Sequence, residues 1–428
     1  MYNKNIHFLG IGGSGASAAA SIAKAQGYQV SGCDKTPFNE FTKTFDKKIL
    51  FTGHSPNHLK GVDILAVTPA IYSLDPQNPE LVAAKKQKIS VLTWQQFMGK
   101  FLQKDKFVIA VCGTHGKSTT CAMVGQLLED AGLDPTVELG AIVPKWKANY
   151  RIGKSKYFVT EADEFNDNFL ATQPDITVVT NIEMDHPEYF KDFDAYKNSF
   201  KNFLGQTKEK IIANPANPGV KQTLAFHPMG TKVIIDYSKQ LIDFSLNVPG
   251  QYNIMNASAA FQVGLALNIN PKIIQKSLAG YSGIGRRFEH LGKSQGVEVY
   301  SDFAHHPTEI KVTLEAAGEK FPDQNLVVVF QPHMFSRTKT LFSDFVKVFQ
   351  KARVKKIIIM DIYPSREIDT GLVNSQQLVQ AVGKSSVEYI PNAQQVLKKL
   401  KSDSTPNKVI FFLGAGDIHQ LAQDFASL

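Results

Sequence analysis

Short runs of apolar residues alternate with longer helix-like stretches along most of this chain. This alternation is typical of parallel β-sheets joined by crossover helices, so the pattern predicts an α/β fold. The predicted strands lie at residues 6–9, 64–67, 107–111, 157–160, 176–180, 211–213, 297–300, 326–330, 356–360, 387–390 and 409–413. Helices are predicted at residues 16–25, 121–130 and 256–267. Because ligands bind at the carboxyl ends of strands in such sheets, the polar residues that follow these runs are the first candidates for a site.

Two passages interrupt the alternation and predict three domains. A polar stretch at residues 103–106 follows the first block, and a Gly-rich passage at residues 280–285 precedes the third. A chain of 428 residues is long for a single core, since domains typically contain about 100 to 200 residues. The predicted domains are residues 1–103, 104–290 and 291–428.

Composition adds an expectation about the compartment. Hydrophobic residues make up 43% of the chain and charged residues 20%, without a long uncharged apolar run, so we expect no membrane span and no membrane partner. The first residues lack the basic flank and cleavage site of a signal peptide. Cys33, Cys112 and Cys121 show no CxxC pair and no spacing to histidine typical of structural zinc sites. We therefore expect small buried thiols and a reducing, cytoplasmic location.

The net charge of +8 raises the question of a nucleic-acid partner. The lysines are scattered, and their densest runs fall on helix-like stretches, where a solvated helix face explains them. We expect no nucleic-acid partner. The positive balance instead favours the attraction of small polyanions, such as nucleotides.

The strongest local motif follows the predicted strand at 107–111. Its residues are Gly113, Thr114, His115, Gly116, Lys117, Ser118 and Thr119. Glycines let backbone N–H groups point inward, the following helix adds partial positive charge, Lys117 neutralises phosphate, and the Ser118 hydroxyl can ligate Mg²⁺. Val111 stands where the common GxxxxGK[ST] spacing has Gly, so the motif is a shorter variant. An incidental Gly-rich turn is the alternative, and the strand and helix on either side disfavour it.

Two neighbouring predicted strands end in acidic residues. The segment 161–164 carries Glu161 and two further acids, and the segment 181–186 ends in His186. Such acids are commonly helix caps or surface charges. Beside a phosphate loop, however, one carboxylate with Ser118 and phosphate oxygens suffices for Mg²⁺. The pattern thus predicts a magnesium–nucleotide site.

A second Gly-rich loop follows the first predicted strand. It contains Gly10, Gly12, Gly13, Ser14 and Gly15. With Asp34 at the end of the next strand, this loop by itself predicts a dinucleotide-binding domain in which Asp34 contacts a ribose. His7, just before the loop, either contacts substrate or is a buried structural imidazole, and the sequence leaves both alternatives open.

In their order along nearly the whole chain, several segments resemble the Mur ligase family of peptidoglycan-precursor synthesis. The segments are 7–15, 113–119, 161–164, 181–186, 252–256, 286–289, 302–309, 330–333 and 414–418. The resemblance implies an N-terminal Rossmann-like domain for a UDP-sugar, a central phosphate-loop ATPase and a C-terminal Rossmann-like domain for an amino acid. The resemblance also changes the ligand expected at the first Gly-rich loop: the diphosphate of UDP takes the place of a dinucleotide.

The resemblance also implies an activity. ATP would phosphorylate the lactyl carboxylate of UDP-N-acetylmuramate, and an amino acid, expected to be L-alanine, would attack the acyl phosphate. The implied ATP contacts, besides the phosphate loop, are Asn253, Asn256, Arg287 and Asp302. The implied ligands of one or two Mg²⁺ ions are Ser118, Glu161 and His186. The candidate catalytic residues are Lys117, His186, His305 and Arg337, and His333 is a further candidate for substrate binding.

Some positions depart from the family pattern or stay ambiguous. Phe303 and Met334 stand where relatives usually carry Tyr and Arg, which removes a hydroxyl and a guanidinium from the expected amino-acid pocket, although Arg337 can pair with a carboxylate. His305 and His306 either face substrate or shape the loop and cap a helix near Thr308. The alternatives for the activity are a ligase that attaches a ready-made tripeptide and a non-catalytic nucleotide-binding protein. We expect a monomer or weak homodimer.

Overall fold

The computed structural model describes residues 4–225, 233–239, 241–322, 325–365, 367–403 and 407–428. Within these residues the strands form three sheets. The chain divides into two compact units: the first comprises Met1–Met184, Asp192–Ser245 and Met255–Tyr281, and the second comprises Asp185–Lys191, Leu246–Ile254 and Ser282–Leu428. The α/β class is confirmed. The predicted domain limits at 103 and 290 stay predictions.

The first sheet, in the first compact unit, has five parallel strands in the order β3-β2-β1-β4-β5. Its strands are β1 Asn5–Leu9, β2 Gln29–Asp34, β3 Leu50–Thr52, β4 Ile64–Val67 and β5 Ser90–Thr93. Its helices are α1 Ser14–Ala25, α2 Ile71–Leu74, α3 Pro79–Lys86 and α4 Trp94–Phe97, with short turns of helix at Lys47–Ile49, Pro56–Leu59 and Met98–Leu102. The small residues of α1 are buried, which lets this helix pack closely on the sheet.

The second sheet, also in the first unit, has seven strands in the order β12-β11-β10-β6-β9-β7-β8. Its strands are β6 Phe107–Cys112, β7 Thr136–Val143, β8 Ala148–Arg151, β9 Tyr157–Glu161, β10 Ile176–Val179, β11 Lys210–Ala213 and β12 Val233–Asp236. The helices that follow in this part of the chain are α5 Lys117–Asp130, α6 Phe193–Gly205, α7 Pro218–Ala225, α8 Gln251–Ala266 and α9 Pro271–Ala279, with turns of helix at Phe165–Ala171 and Tyr237–Lys239. Only β7 and β8 pair antiparallel among these strands. Because β9 and β10 flank β6, their carboxyl ends lie beside the loop that leaves β6.

The third sheet belongs to the second compact unit and has the order β13-β14-β18-β15-β16-β17. Its strands are β13 Glu289–Ser294, β14 Val297–Asp302, β15 Asn325–Phe330, β16 Lys356–Ile359, β17 Val387–Tyr389 and β18 Lys408–Leu413. Its helices are α10 Pro307–Lys320, α11 Phe335–Thr340, α12 Phe342–Lys351, α13 Ser375–Val382, α14 Ala393–Ser402 and α15 Ile418–Ala426. Apolar clusters cover both faces of the parallel strands, as expected for a doubly wound sheet.

All strands predicted from apolar runs are present, with ends that differ by two residues at most. The predicted helices are also confirmed, although α5 and α8 begin earlier than the apolar pattern indicated. Among the described residues, no helix is both long and apolar enough to cross a membrane.

Candidate active site

The loop between β6 and α5 has the backbone shape of a phosphate cradle. Gly113 and Gly116 adopt φ values of +130° and +82°. Residues other than glycine rarely adopt this backbone conformation. A Cβ at Gly113 would collide with the Thr180 hydroxyl, and one at Gly116 would lie 2.6 Å from Asn256 Oδ1. Glycine is therefore required at both positions, and the first turn of α5 presents Ser118 and Thr119 directly after Lys117.

The end of β10 fixes the loop in place. The Asn181 side chain accepts a hydrogen bond from His115 N at 2.9 Å and donates to His115 O at 3.0 Å. The Thr114 amide donates to the Asn181 carbonyl at 3.0 Å. One asparagine thus holds both polar groups of the loop backbone at His115, and the cradle is preorganised.

Lys117 is the cation of the loop. Its Nζ donates to Gly113 O at 2.7 Å, to Thr114 O at 3.2 Å and to Glu164 Oε2 at 2.9 Å. Burial opposes the charged ammonium, but Glu164, Asp163 and then Glu161 outweigh it and raise the pKa of Lys117. The lysine is therefore charged at any physiological pH.

A buried network orients the carboxylate that pairs with this lysine. Glu164 is fully buried and accepts a hydrogen bond from the Tyr196 hydroxyl at 2.9 Å. The same hydroxyl lies 3.0 Å from Thr114 Oγ1, and Glu183 N donates to Thr114 Oγ1 at 2.9 Å. Sequence reasoning missed Tyr196, which looks like an ordinary core residue of α6, and it gave Glu164 no role of its own.

The residues around the loop fit a magnesium–nucleotide complex. Ser118 lies in the first turn of α5, and Glu161 ends β9, where its Oε2 accepts a hydrogen bond from Gly140 N at 2.8 Å. Hydroxyl and carboxylate oxygens are the ligands that a hard cation prefers. His186 belongs to the second compact unit, where it has φ +54° and its Nδ1 lies 3.1 Å from Glu188 Oε1. The magnesium set of Ser118, Glu161 and His186 stays a prediction.

The loop after β1 is held by the end of β2. Gly10 N and Ile11 N donate to Cys33 O at 2.8 and 3.1 Å, and Gly12 N donates to Asp34 Oδ2 at 3.1 Å. A Cβ at Gly12 would lie 2.9 Å from the Asp34 carboxyl group, which explains that glycine. Gly13 follows as the residue before α1, and Ser14 and Gly15 form the first turn of that helix.

Asp34 and His7 have structural partners. The other oxygen of Asp34 accepts a hydrogen bond from Thr36 N at 3.0 Å, so the carboxylate shapes the loop. His7 is fully buried, with Nδ1 at 2.8 Å from Ser31 Oγ and Nε2 at 3.4 Å from Glu80 Oε2. Its environment favours the buried structural imidazole over a direct substrate contact. The ribose contact of Asp34 stays a prediction.

The second compact unit contains a different buried ion pair. Arg337 is 2% exposed, its Nε donates to Asp185 Oδ1 at 2.9 Å, and its Nη1 donates to His333 Nδ1 at 3.2 Å. Burial opposes both charges, yet His186 and Arg337 hold the pKa of Asp185 well below its usual range. Sequence reasoning placed Asp185 in a motif but did not find this partner.

The histidines of this unit differ in their roles. Burial lowers the pKa of His305 to about 4, against the opposing effect of Glu309, so this imidazole is neutral near pH 7. The His306 side chain accepts a hydrogen bond from Thr308 N at 3.2 Å and forms the N-cap of α10, as the capping alternative proposed. The His333 ring stacks on Tyr363 with 5.7 Å between centroids.

Asp302 and Arg287, which were predicted to contact the nucleotide, bond to other residues of the second unit. Asp302 accepts hydrogen bonds from Phe288 N at 2.8 Å and Ala304 N at 2.9 Å, while burial raises its pKa to about 6. Arg287 Nη1 donates to Glu309 Oε1 at 3.1 Å.

The two asparagines predicted to contact adenine lie in different units. Asn253 Nδ2 donates to Pro249 O at 2.7 Å in the second unit, whereas Asn256 lies against Gly116 in the first. The roles of Arg287, Asp302, Asn253 and Asn256 toward a nucleotide stay predictions.

Phe303 and Met334, the two residues that depart from the family pattern, both lie next to arginines. The Arg286 Cζ lies 4.8 Å and the Arg287 Cζ 5.4 Å from the centre of the Phe303 ring, so two guanidinium groups face this aromatic side chain. Met334 is fully buried, has φ +72°, and its Sδ lies 3.9 Å from Arg337 Nη1. Both apolar side chains therefore lie against arginines.

The glycine cradle, its fixed lysine and the strand order around β6 define a phosphate-loop protein of the α/β class. Three protein-family models match the chain. They are "Mur ligase family, catalytic domain" over residues 5–106, "Mur ligase middle domain" over 111–225 and "Mur ligase, glutamate ligase domain" over 286–416. The chain belongs to the Mur ligase family.

Relatives of similar length support this assignment. UDP-N-acetylmuramate--L-alanine ligases from Clostridium tetani and Clostridium acetobutylicum are each 36% identical, and the matches cover 99% of this chain and 98% of theirs. The UDP-N-acetylmuramate-alanine ligase structure from Thermotoga maritima is similar with a TM-score of 0.81 and 25% identity, covering 99% of this chain and 98% of that one. A murein peptide ligase from Psychrobacter arcticus shares the fold, with a TM-score of 0.72, 21% identity and the same coverage.

Proposed function

We propose that this protein is an ATP-dependent ligase that joins L-alanine to the lactyl carboxylate of UDP-N-acetylmuramate in peptidoglycan precursor synthesis. The observation that carries the proposal is the cradle of Gly113 and Gly116 with Lys117 held at its centre by Glu164. Full-length relatives that carry the name of this activity support it.

The chemistry proceeds through an acyl phosphate. The carboxylate oxygen attacks the γ-phosphorus of ATP and ADP leaves; the neutral amine of alanine then attacks the carbonyl carbon. The tetrahedral intermediate collapses with release of phosphate and formation of the amide bond. Negative charge builds first on the phosphoryl oxygens and then on the tetrahedral oxygen, so preorganised positive groups are the main catalytic device. Lys117 and the N-terminal turn of α5, which begins at Lys117, supply them.

Magnesium has a place in this scheme. Ser118 and Glu161 are the residues of the first unit that would hold Mg²⁺, with His186 as the third predicted ligand. When bound, the ion neutralises phosphate charge. Thr114, His115 and Thr119 complete the phosphate loop, in which Asn181 holds the amides of Thr114 and His115.

The second compact unit supplies the groups for the amino acid. Arg337 carries a permanent charge that suits a carboxylate. His305 is neutral near pH 7, because burial lowers its pKa to about 4, so its ring can accept a hydrogen bond there. Phe303 presents a ring where relatives usually carry Tyr.

The proposed location is the cytoplasm, where ATP is available. Cys33, Cys112 and Cys121 are all free and buried, which suits a reducing compartment. We propose a monomer or weak homodimer without nucleic-acid or membrane partners.

A ligation assay with a panel of acceptors tests the proposal. Purified protein is incubated with UDP-N-acetylmuramate, ATP and Mg²⁺, together with Ala, Ser, Gly or the ready-made tripeptide that the alternative enzyme, a recycling ligase, would attach. We expect ATP-dependent phosphate release and a UDP-linked product whose mass has increased by one alanine residue. Product with the tripeptide alone would replace the proposal by the recycling ligase. Phosphate release equal with and without every acceptor would contradict a ligase altogether.

A further inference from the structure

A buried cluster of metal-binding side chains lies in the first sheet, away from the phosphate loop. His7 is on β1, Cys33 on β2, His58 on the helical turn Pro56–Leu59, and Glu80 in the first turn of α3. One ligand atom from each residue lies within 4.8 Å of all the others. His7, Cys33 and Glu80 are fully buried, and the His58 side chain is 15% exposed. The four elements thus converge on one point in the domain.

We propose that this cluster is a binding site for a borderline-soft divalent cation of the Zn²⁺ class. A thiol and two imidazoles select such an ion over Mg²⁺, which prefers oxygen ligands and retains its waters. The site is separate from the magnesium set of the proposed reaction and does not depend on that function.

The distances suit four-coordinate geometry. Cys33 Sγ lies 3.2 Å from each oxygen of Glu80, His7 Nε2 lies 3.4 Å from Glu80 Oε2, and His58 Nδ1 lies 2.8 Å from Glu80 Oε1. Bonds of about 2.0–2.3 Å at tetrahedral angles place ligand atoms roughly 3.3–3.8 Å apart. The remaining separations between ligand atoms are at most 4.8 Å, so side-chain shifts of about an ångström or less per ligand would bring the four atoms into this range, and His58 is the most exposed of the four.

His7 provides an independent indication. Its Nδ1 lies 2.8 Å from Ser31 Oγ, whereas Nε2 is buried and makes no hydrogen bond among the described residues. The ring proton can lie on either nitrogen; in the tautomer whose Nδ1–H donates to the serine, Nε2 presents its lone pair toward Glu80 Oε2. A lone pair facing a carboxylate oxygen is stabilised by a cation between them. A second-shell hydrogen bond from the other ring nitrogen is the usual arrangement of a metal-binding histidine.

The Cys33 thiol has to lose its proton when a cation binds to the sulfur. Burial raises its pKa, and Glu80 adds to that effect, so the thiol is protonated and hydrogen-bonded to Glu80. A cation that binds the sulfur displaces this proton. The local spacing of cysteines gave no indication of such a site because the ligands come from four separate elements.

The cluster lies next to the first Gly-rich loop in the same domain. Cys33 O accepts hydrogen bonds from Gly10 N and Ile11 N, and the next residue, Asp34, accepts one from Gly12 N. An ion on the Cys33 side chain would therefore tie the end of β2 to β1 and α3 beneath this loop. We expect the ion to stabilise the folded domain.

Titration of the metal-free, full-length protein with Co²⁺ tests the site. We expect a charge-transfer band from thiolate to Co²⁺ together with the strong visible bands of tetrahedral coordination, and loss of both when Zn²⁺ is added. Cys33→Ser should abolish the thiolate band. Cys121→Ser is the matched control, because Cys121 is also buried but lies on α5 outside the cluster, and it should leave the band unchanged.

The variant His58→Gln provides a second test of the site in case Cys33→Ser does not fold. His58→Gln alters the ligand with the most exposed side chain and retains the thiol, so it should weaken Co²⁺ binding by more than about tenfold while the band itself persists at saturation. Zn²⁺ should also raise the melting temperature of the wild-type protein and not that of Glu80→Gln. Absence of a thiolate band in the wild-type protein, or an equal band in Cys33→Ser, would overturn the proposal.

Discussion

Each compact unit contains one of the two buried ion pairs described above, and the pairs differ in what else holds the cation. Lys117 donates to Glu164 and also to two carbonyl groups of its own loop. Arg337 donates to Asp185 and to the ring of His333. The lysine is a compact charge on a flexible stem, whereas the guanidinium is planar and directional.

The difference predicts a division of labour. The loop carbonyls around Lys117 are local partners that phosphate oxygens can replace, so this pair belongs to a binding cradle. Asp185 is 152 positions from Arg337 in the chain, and their pair connects the segment 185–191 to α11 within the second unit. Loss of either cation should cost stability, because each leaves a buried carboxylate without its partner, and loss of Lys117 should affect activity most.

The largest effect is expected for Lys117→Ala. Removal of the cation that faces the transferring phosphoryl group should lower kcat by about 10²–10³-fold, as for other preorganised charge-stabilising groups. Phosphate release in the ligation assay measures the loss. Lys145→Ala is the control, because Lys145 pairs with Glu129 and Asp130 at the surface and should retain wild-type kcat. Equal turnover by the wild type and Lys117→Ala would support a non-catalytic nucleotide-binding protein.

Arg337→Met should give a large loss of stability. It leaves Asp185 buried without its cation, and breaking a buried pair on one side costs about 3–5 kcal/mol of unfolding free energy. Urea denaturation measures the difference. The double variant Asp185→Asn/Arg337→Met removes both charges and keeps an oxygen acceptor for His186 N, so it should be more stable than Arg337→Met alone. Equal destabilisation of the single and double variants would contradict the importance of the ion pair.

These two pairs also show what the sequence can predict. The loop around Lys117 is contiguous and lies between a continuous apolar strand and a helix, so local pattern was sufficient to find it. The partnership of Arg337 with Asp185 depends on the tertiary fold, which no local spacing reveals. Tyr196 was missed for the same reason, since its hydroxyl acquires a role only when α6 packs beside the loop.

The strands show the same limit. β6 and β10 are continuous apolar runs buried on both faces, and they were predicted within one residue. β13 reads Glu-His-Leu-Gly-Lys-Ser and lies at the antiparallel edge of its sheet, where few of its side chains are buried. Its pairing with β14, rather than its own hydrophobicity, makes it a strand, and therefore the apolar pattern did not identify it.

His305, which lies near Arg337, should make the stability of the protein depend on pH. Burial, with a contribution from Arg337, lowers the folded-state pKa of His305 to about 4 from 6.5, while Glu309 opposes the shift. The unfolded chain then binds more protons between these values, so stability falls as pH drops from about 6.5 to 4, by up to about 2–3 kcal/mol. His305→Gln should flatten this part of the stability profile, as measured by urea denaturation across pH. Parallel profiles for the two proteins would contradict a neutral His305 in the folded protein.

The smallest effect is expected for Tyr196→Phe, which tests how far the lysine pair depends on its surroundings. The substitution removes one hydroxyl that donates to Glu164 and lies 3.0 Å from Thr114, at almost constant volume. The lost hydrogen bond should cost about 1–2 kcal/mol of unfolding free energy. Because Lys117 remains, kcat should fall by about tenfold or less, well short of the loss in Lys117→Ala. Tyr157→Phe, in the same domain but at the start of β9, is the control and should match the wild type in kcat. A loss of kcat as large as that of Lys117→Ala would mean that the network, and not the ammonium group alone, supplies the charge stabilisation.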